Sequence, residues 1–316
     1  MFVNIIWLVG FAIVAAAFGW LVWRAWHASH WILKWGGTAG SAFLTLIFTL
    51  VTVLVLVGAF KAYMPRGNPV VEVDIAGTPE QIARGAHLSN TVCAACHTLN
   101  DEIPLSGGKD ILEDVPMPLG RFTPPNLTPA GSLADWSDGE IVRVIREGTN
   151  RNGHLSTMMS ILDFSSISED DIHSIVAFIR SQPAVQNETP VNTLTPLALA
   201  MMTLGMLPLK DVPESGPVAS VPIGPTVEYG RYIANFIGCT EYHGEDLSGG
   251  AGRLSPKGPT LRVVKNWSVE QFIETLRTGL NPTGRALDKE EMPWDFIGRL
   301  DDEELAGLHA YLVSFP

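Results

Sequence analysis

Two long apolar stretches open the chain. Residues 2–23 and 38–60 contain no charged side chain, and each is long enough to cross a bilayer core of about 30 Å as a helix. A cleaved signal peptide is the alternative for the first stretch, but it would have a basic start, a shorter apolar core and a small-residue cleavage site. We therefore predict two transmembrane helices, in a membrane anchor that covers residues 1–64.

The rest of the chain has helical rather than strand-like patterns. Residues 168–171 resemble a helix-capping sequence, and the apolar residues after them recur at helical spacing. The same arrangement follows Asp301 near the end of the sequence. Helices are also predicted over residues 79–90 and 228–236, with loops rich in Gly and Pro between them. These patterns predict an all-α protein.

A set of spaced residues occurs twice. Trp136 precedes Gly148 by 12 positions, and Trp267 precedes Gly279 by the same distance. A Leu-Ser-Gly-Gly sequence lies upstream of each tryptophan. Agreement of this kind indicates a duplicated domain, and we place the two copies at residues 79–183 and 226–316.

A proline-rich segment, residues 184–225, lies between the copies and is interpreted as a linker. Its stretch 197–209 is apolar but too short to span a membrane. We expect this stretch to pack on a domain, on a partner or on the bilayer surface, with ordinary packing between domains as the favoured alternative.

Charge is segregated along the chain. Residues 1–64 contain three cations and no acids, whereas the other 252 residues carry 18 Lys and Arg against 33 Asp and Glu. The acidic part argues against a nucleic-acid partner and is compatible with a basic redox partner. Arg24 and Lys34 lie between the apolar stretches and predict a cytoplasmic connection, although Lys61 and Arg66 oppose this orientation. His27 and His30 lie in the connection and are interpreted as loop residues.

The sequence Cys93-Ala94-Ala95-Cys96-His97 is an attachment motif for c-type haem. Two thiols at this spacing each bond a vinyl group of one porphyrin, and the adjoining imidazole binds the iron. A reducing Cys pair would leave His97 unexplained, and half a zinc site would need a second Cys pair that the chain does not have. Haem c is attached on the outer face of the membrane, which places the soluble part there.

The second copy has an incomplete motif at Cys239-Thr240-Glu241-Tyr242-His243. Tyr242 occupies the position of the second thiol, so a single thioether, from Cys239, would attach the haem, and His243 would bind its iron. The alternative is a relic domain with a pocket that is empty or filled by Tyr242. A sequence variant at Tyr242 is a further alternative, and bound haem is favoured.

Two methionines are predicted as distal iron ligands. Met159 and Met292 each lie 13 residues before equivalent positions in the two terminal helices, Ile172 and Leu305. A thioether ligand is common in cytochromes c and raises the reduction potential. An ordinary core methionine is the alternative for both, and Met158 adjoins the first.

The chain resembles the cytochrome c family, specifically tandem class-I-type modules, over about residues 79–316. The motif at 93–97, the sequence Pro-Asn-Leu-Thr-Pro at 125–129, Trp-Ser-Asp at 136–138 and the terminal Ser-Glu-Asp-Asp helix are similar to cytochrome subunits of membrane-bound alcohol and sugar-acid dehydrogenases. The twin helical anchor departs from those subunits. The resemblance implies that residues 124–129, including Asn126, border the haem edge. It also implies that Arg121 pairs with a propionate, with a solvated loop charge as the alternative.

We therefore expect two transmembrane helices followed by two class-I-type cytochrome c domains, on the periplasmic face of a bacterial inner membrane. The chain would carry single electrons between a membrane-associated donor, either a dehydrogenase or a quinol-oxidising complex, and a high-potential acceptor. It would act with redox protein partners in a membrane complex, and the sequence offers no substrate-oxidising residues. The alternatives are a peroxidase-like catalytic haem protein and a subunit whose second domain is purely structural in a larger respiratory or photosynthetic complex.

Overall fold

The computed structural model describes residues 2–156, 158–207, 209, 212, 216–250 and 258–315. The chain folds into two compact units, which we call the anchor unit and the repeat unit. The anchor unit comprises Met1–Pro65, Leu112–Phe122 and Val191–Leu209. The repeat unit comprises Arg66–Ile111, Thr123–Pro190 and Lys210–Pro316. The prediction of a mostly helical protein with two N-terminal apolar helices is confirmed.

Two long helices dominate the anchor unit. Helix α1 spans Phe2–Trp26, and a short π-helix at Leu33–Gly37 leads into helix α2, Thr38–Tyr63. The start of α1 lies beside the end of α2, because Asn4 donates a hydrogen bond of 2.9 Å to the Tyr63 hydroxyl. Both helices are long and apolar enough to cross a membrane, by length and composition, and little of their surface is buried.

A third helix of the anchor unit comes from the predicted linker. Helix α7, Pro196–Thr203, packs on α2, and the Thr203 hydroxyl donates a hydrogen bond of 2.7 Å to the Leu54 carbonyl. The backbones approach closely at Gly58, where a Cβ atom would overlap the carbonyl of Leu199. The shared core comprises Val55, Ala62, Leu119, Ala198, Leu199, Met201, Met202 and Leu207.

The anchor unit also contains a short antiparallel pair that the sequence did not predict. Strand β1, Gly120–Arg121, pairs with strand β2, Thr193–Leu194. Two residues are too few to show an alternating pattern of apolar and polar side chains. The pair therefore depends on contacts between segments that are distant in the sequence.

The first half of the repeat unit is built on four helices. They are α3 (Pro79–Leu88), α4 (Ala94–His97), α5 (Asp138–Glu147) and α6 (Glu169–Ser181), with a π-helix at Ser89–Cys93. The side chains of Thr78, Ser137 and Ser168 cap the starts of α3, α5 and α6. Helices α3 and α6 cross closely at Gly85, where a Cβ atom would overlap the carbonyl of Ser174.

The second half repeats this arrangement. Its helices are α8 (Val227–Phe236), α9 (Cys239–His243), α10 (Val269–Thr278), α11 (Trp294–Ile297) and α12 (Asp302–Ser314), with a 3₁₀-helix at Leu261–Asn266. Gly230 of α8 lies against the carbonyl of Gly307 in α12, as Gly85 lies against Ser174. Helices α5 and α10 both end at a left-handed glycine, Gly148 and Gly279. The same local geometry therefore occurs twice in the repeat unit.

Candidate haem sites

The first motif lies where the π-helix passes into α4. Cys93 and Cys96 are half-buried free thiols on this turn. Burial raises the pKa of Cys93 to about 11 and also raises the pKa of Cys96. A reducing Cys pair needs a lowered thiol pKa, because the thiolate is the nucleophile. The environment of these two thiols therefore argues against the reducing-pair alternative.

His97 has one ring nitrogen fixed by the backbone. Its Nδ1 lies 2.9 Å from the carbonyl oxygen of Pro125, which is a hydrogen-bond acceptor. Nδ1 therefore carries the proton, and Nε2 keeps its lone pair for a metal ion. Burial lowers the pKa of His97, which favours the neutral ring that a metal ligand requires.

The loop that supplies the Pro125 carbonyl is held by Asn126. This side chain is almost fully buried. Its Oδ1 accepts hydrogen bonds from the backbone amide and hydroxyl of Thr128, at 2.9 and 2.8 Å, and its Nδ2 donates to the carbonyl of Val185 at 2.8 Å. Asn126 thus orients the acceptor of His97, a structural task additional to the predicted position at the haem edge.

The two adjoining methionines differ in their surroundings. Met159 is half-buried and packs against the same apolar core as Cys93 and Leu88. Met158 is also half-buried. Among the described residues of this core, Met159 packs against it and Met158 does not. Of the two, Met159 is therefore the one packed on the core that contains Cys93, and its role as the distal ligand stays a prediction.

The second motif repeats the geometry of the first. Cys239 is buried, and burial raises its pKa to about 12. His243 Nδ1 lies 2.7 Å from the carbonyl oxygen of Pro259, which corresponds to Pro125. Burial also lowers the pKa of His243. Nε2 of this ring is consequently left available in the same way as in His97.

Matched backbone hydrogen bonds surround the two histidines. Gly107 donates to the His97 carbonyl at 2.9 Å, and Gly249 donates to the His243 carbonyl at 3.0 Å. At the second histidine, a Cβ atom on Gly258 would lie 2.7 Å from the His243 ring. A glycine at this position therefore leaves room for the imidazole.

A cavity of about 530 Å³ adjoins His243. His243 and Met292 both line it, together with Trp267, Tyr242 and Arg285. Its apolar wall includes Leu261, Val263, Val264, Phe272, Leu276 and Leu287. The volume lies within the range of roughly 300–1,000 Å³ that is typical of cofactor and ligand pockets. A nitrogen and a sulfur donor in one apolar cavity form a donor set that fits a haem iron, and Tyr242 borders this space without filling it.

Arg121 lies in the anchor unit rather than the repeat unit. It is exposed and belongs to β1, which pairs with β2. The structure therefore does not group it with the residues of either motif, and its pairing with a propionate stays a prediction.

A buried ionic network joins the two halves of the repeat unit and was not predicted. Arg84 of α3 bonds to Asp171 of α6 at 2.8 Å and to Glu304 of α12 at 2.7 Å. His87 Nε2 lies 2.5 Å from Glu304, and the Tyr229 hydroxyl donates to Glu304 at 2.6 Å. The sequence does show that an acid precedes both Ile172 and Leu305, but the partners of these acids lie on other helices.

Glu304 is ionised over a wide pH range. Burial tends to raise the pKa of this carboxyl, but the hydrogen bonds from His87, Tyr229 and Arg84 outweigh burial and lower the pKa to about 2. Burial is the main cause that raises the pKa of Tyr229, with the Glu304 carboxylate acting in the same direction. A charged carboxylate therefore lies between the two halves.

Comparison with known proteins agrees with this geometry. Residues 80–179 match the family described as Cytochrome C oxidase, cbb3-type, subunit III. The chain is 29% identical over 139 residues to a diheme cytochrome c-type of Cereibacter sphaeroides, covering 42% of this chain and 45% of that protein. It is 27% identical over 232 residues to the cytochrome c subunit of a quinone alcohol dehydrogenase of Gluconacetobacter polyoxogenes, covering 69% and 45%.

A fructose dehydrogenase cytochrome subunit of Gluconobacter japonicus is 29% identical over 136 residues, covering 38% of this chain and 28% of that protein. The chain spans less than half the length of each of these relatives. The resemblance to the cytochrome c family is confirmed. The chain contains a cytochrome c domain, a type of domain that binds haem c covalently.

Proposed function

We propose that this chain is a membrane-anchored c-type cytochrome that passes single electrons between a membrane-associated dehydrogenase or quinol-oxidising complex and a high-potential acceptor. The observation that carries the proposal is the His97 ring, whose Nδ1 is fixed on the Pro125 carbonyl beside two thiols at haem-attachment spacing. Bound haem supplies a one-electron redox couple. The relatives named as cytochrome subunits of dehydrogenases support a role as a subunit of a redox complex.

Each residue of the first site has a separate task in this proposal. Cys93 and Cys96 would attach the porphyrin, and His97 would bind its iron through Nε2. Met159 would bind the iron through its thioether, which raises the reduction potential. The surrounding apolar core would raise the potential further, because the oxidised form carries the extra positive charge.

The second half of the repeat unit binds a second haem in this proposal. The support is the cavity that His243 and Met292 share and the hydrogen bond from His243 to Pro259. Cys239 would supply a single thioether, so His243, Met292 and the apolar wall would hold the rest of the group. With both of these side chains bound to the iron, the haem would carry electrons and would not bind peroxide, which disfavours the catalytic alternative.

We propose that the anchor unit attaches the chain to a membrane. The support is the length and apolar composition of α1 and α2, together with the cations at Arg24 and Lys34. We infer a bacterial inner membrane with the haem-binding part on its periplasmic face, where c-type haem is attached. The acidic soluble part would dock a redox partner with a basic surface.

The full chain in detergent, matured in a host that attaches haem c, tests the proposal. A pyridine haemochrome assay should give two haems per polypeptide, and the ferric spectrum should show the long-wavelength charge-transfer band of Met–iron ligation. One haem would reject the second site and leave that half as a structural or docking domain. Rapid peroxide turnover without the Met–iron band would replace the carrier with a catalytic haem protein.

A further inference from the structure

Helix α7 lies along the last turns of α2. Its closest approach is at Gly58, opposite Leu199, and it is also bonded at Leu54 through Thr203. With a rise of about 1.5 Å per residue, Leu54 lies about 9 Å along the helix axis from Phe60, where the uncharged stretch of α2 ends. This distance is about a third of a hydrocarbon core of about 30 Å. If α2 spans a bilayer, α7 lies beside its outer half rather than above it.

The segment 194–207 has the composition that such a position requires. It contains no charged residue. Some of its large side chains, such as Leu199 and Met202, are buried in the core shared with α2, and others are exposed at the surface. Leu197, Leu204 and Met206 are exposed by 41%, 59% and 54%. Phe60, on the neighbouring outer half of α2, is exposed by 64%. Helix α7 and the turn after it thus expose large apolar side chains, as the predicted spanning helix α2 beside α7 does.

Backbone amides at both ends of the segment also have hydrogen-bond acceptors within the segment. The Thr195 hydroxyl caps α7 by accepting a hydrogen bond from the Ala198 amide. At the other end, the amides of Met206 and Leu207 both donate to the Met201 carbonyl. The turn passes through Gly205 with a positive φ of 70°, as in a helix-ending motif. Polar backbone groups inside a bilayer need such partners, since hydrocarbon offers none.

We propose that α7 and the turn after it, residues 196–207, insert into the outer half of the bilayer beside α2, with lipid acyl chains against Leu197, Leu204 and Met206. The segment is a third membrane element, beside α2 and too short to span the bilayer itself. This inference rests on the proposed membrane anchor. A soluble protein rarely exposes such a cluster without a partner, and continuity with α2 favours lipid as that partner.

Photo-crosslinking to lipid tests the insertion. p-Benzoylphenylalanine would replace Met206 in the full chain, reconstituted in vesicles of phosphatidylethanolamine and phosphatidylglycerol. Phe60 would be replaced in parallel as a position on α2, and Leu280, exposed by 51% on a turn of the repeat unit, would be the aqueous control. Haem content by pyridine haemochrome would show that each variant is folded. Irradiation and mass spectrometry then measure lipid adducts.

We expect Met206 to form lipid adducts with a yield close to that of Phe60 and about tenfold above that of Leu280, because only the first two side chains would face acyl chains. Adducts at Phe60 with none above the control at Met206 would overturn the insertion and leave the anchor intact. Crosslinks from Met206 to a protein would overturn it in favour of a protein partner. Absence of adducts at both Phe60 and Met206 would overturn the anchor itself, and the insertion with it.

Discussion

The guanidinium of Arg84 in the first half of the repeat unit lies 2.7 Å from the carboxylate of Glu304 in the second half. The same guanidinium bonds to Asp171, which occupies in α6 the position that Glu304 occupies in α12. Arg84 therefore neutralises one acid from each half. An uncompensated charge at this depth is costly, so the three residues favour one arrangement of the two halves.

The remaining bonds of the network follow the internal duplication. His87 of the first half bonds to Glu304 across the boundary, and Tyr232 of the second half bonds to Asp171 across it in the opposite direction. Tyr229 and Arg84 bond to the acid of their own half. Helices α3 and α8 thus make the same pattern of bonds to the two acids. The side chains at equivalent positions differ, since Arg84 corresponds to Tyr229 and His87 to Tyr232.

Substitution of Glu304 should strongly destabilise the repeat unit. In Glu304→Gln, the Arg84 charge keeps one partner and loses the other, and we expect a loss of about 3 kcal/mol in the free energy of unfolding. The matched control is Asp302→Asn, because Asp302 pairs with Arg277 at the exposed surface and should change stability by about 1 kcal/mol or less. Thermal unfolding followed by circular dichroism measures both. Equal effects of the two substitutions would contradict the assigned role of Glu304.

The same carboxylate predicts a dependence of stability on pH. The pKa of Glu304 is lowered from 4.5 to about 2 in the folded chain, so ionisation of Glu304 stabilises the folded state. This stabilisation, about 3 kcal/mol, is present above about pH 5 and is lost as the pH falls towards 2. The groups that face Glu304 are Arg84, His87 and Tyr229. Urea unfolding across this range should show a smaller acid loss in Glu304→Gln, and an unchanged profile in that variant would refute the linkage.

Much of the helical fold was predictable because its signals are local. The cap at Ser168 and the apolar spacing after it lie within one helix, and the haem motif at 93–97 lies within five residues. The network was not predictable, since Arg84 and Glu304 are 220 residues apart. The packing of α7 on α2 was not predictable either, because Gly58 and Leu199 are also distant in the sequence. A glycine in an apolar stretch does not indicate which segment will pack against it.

A larger side chain at Gly58 should displace α7. In Gly58→Leu the Cβ atom would overlap the Leu199 carbonyl, and overpacking of this kind costs about 1–3 kcal/mol. We expect limited proteolysis in detergent to cut the chain near residues 204–206 several times faster. Gly40→Leu is the matched control on the same helix, since a Cβ atom there meets no neighbour within 4 Å. Equal proteolysis of the two variants would argue against the close packing at Gly58.

Restoring a thiol at Tyr242 should strengthen haem attachment in the second half. Tyr242→Cys completes a Cys-x-x-Cys-His motif with Cys239 and His243, and it should give two thioethers in place of one. Cys239→Ala should remove covalent attachment there and retain the haem at the first site. Mass spectrometry of the denatured chain counts the covalent haems, with two expected for the unaltered chain and for Tyr242→Cys, and one for Cys239→Ala. The haemochrome absorption band, which shifts when a vinyl group is saturated, separates the second thioether of Tyr242→Cys from the single one of the unaltered chain. One covalent haem in the unaltered chain as well as in Cys239→Ala would show that Cys239 attaches no haem.

The two adjoining methionines allow a direct test of the first distal ligand. Met159 packs on the core that contains Cys93, so Met159→Leu should remove the Met–iron charge-transfer band of that haem and lower its reduction potential by roughly 0.1–0.2 V. Met158→Leu is the matched control of identical chemistry one residue away, and it should leave both the band and the potential unchanged. A redox titration with optical detection measures each variant. Loss of the band in Met158→Leu, with Met159→Leu unaffected, would transfer the ligand role to Met158.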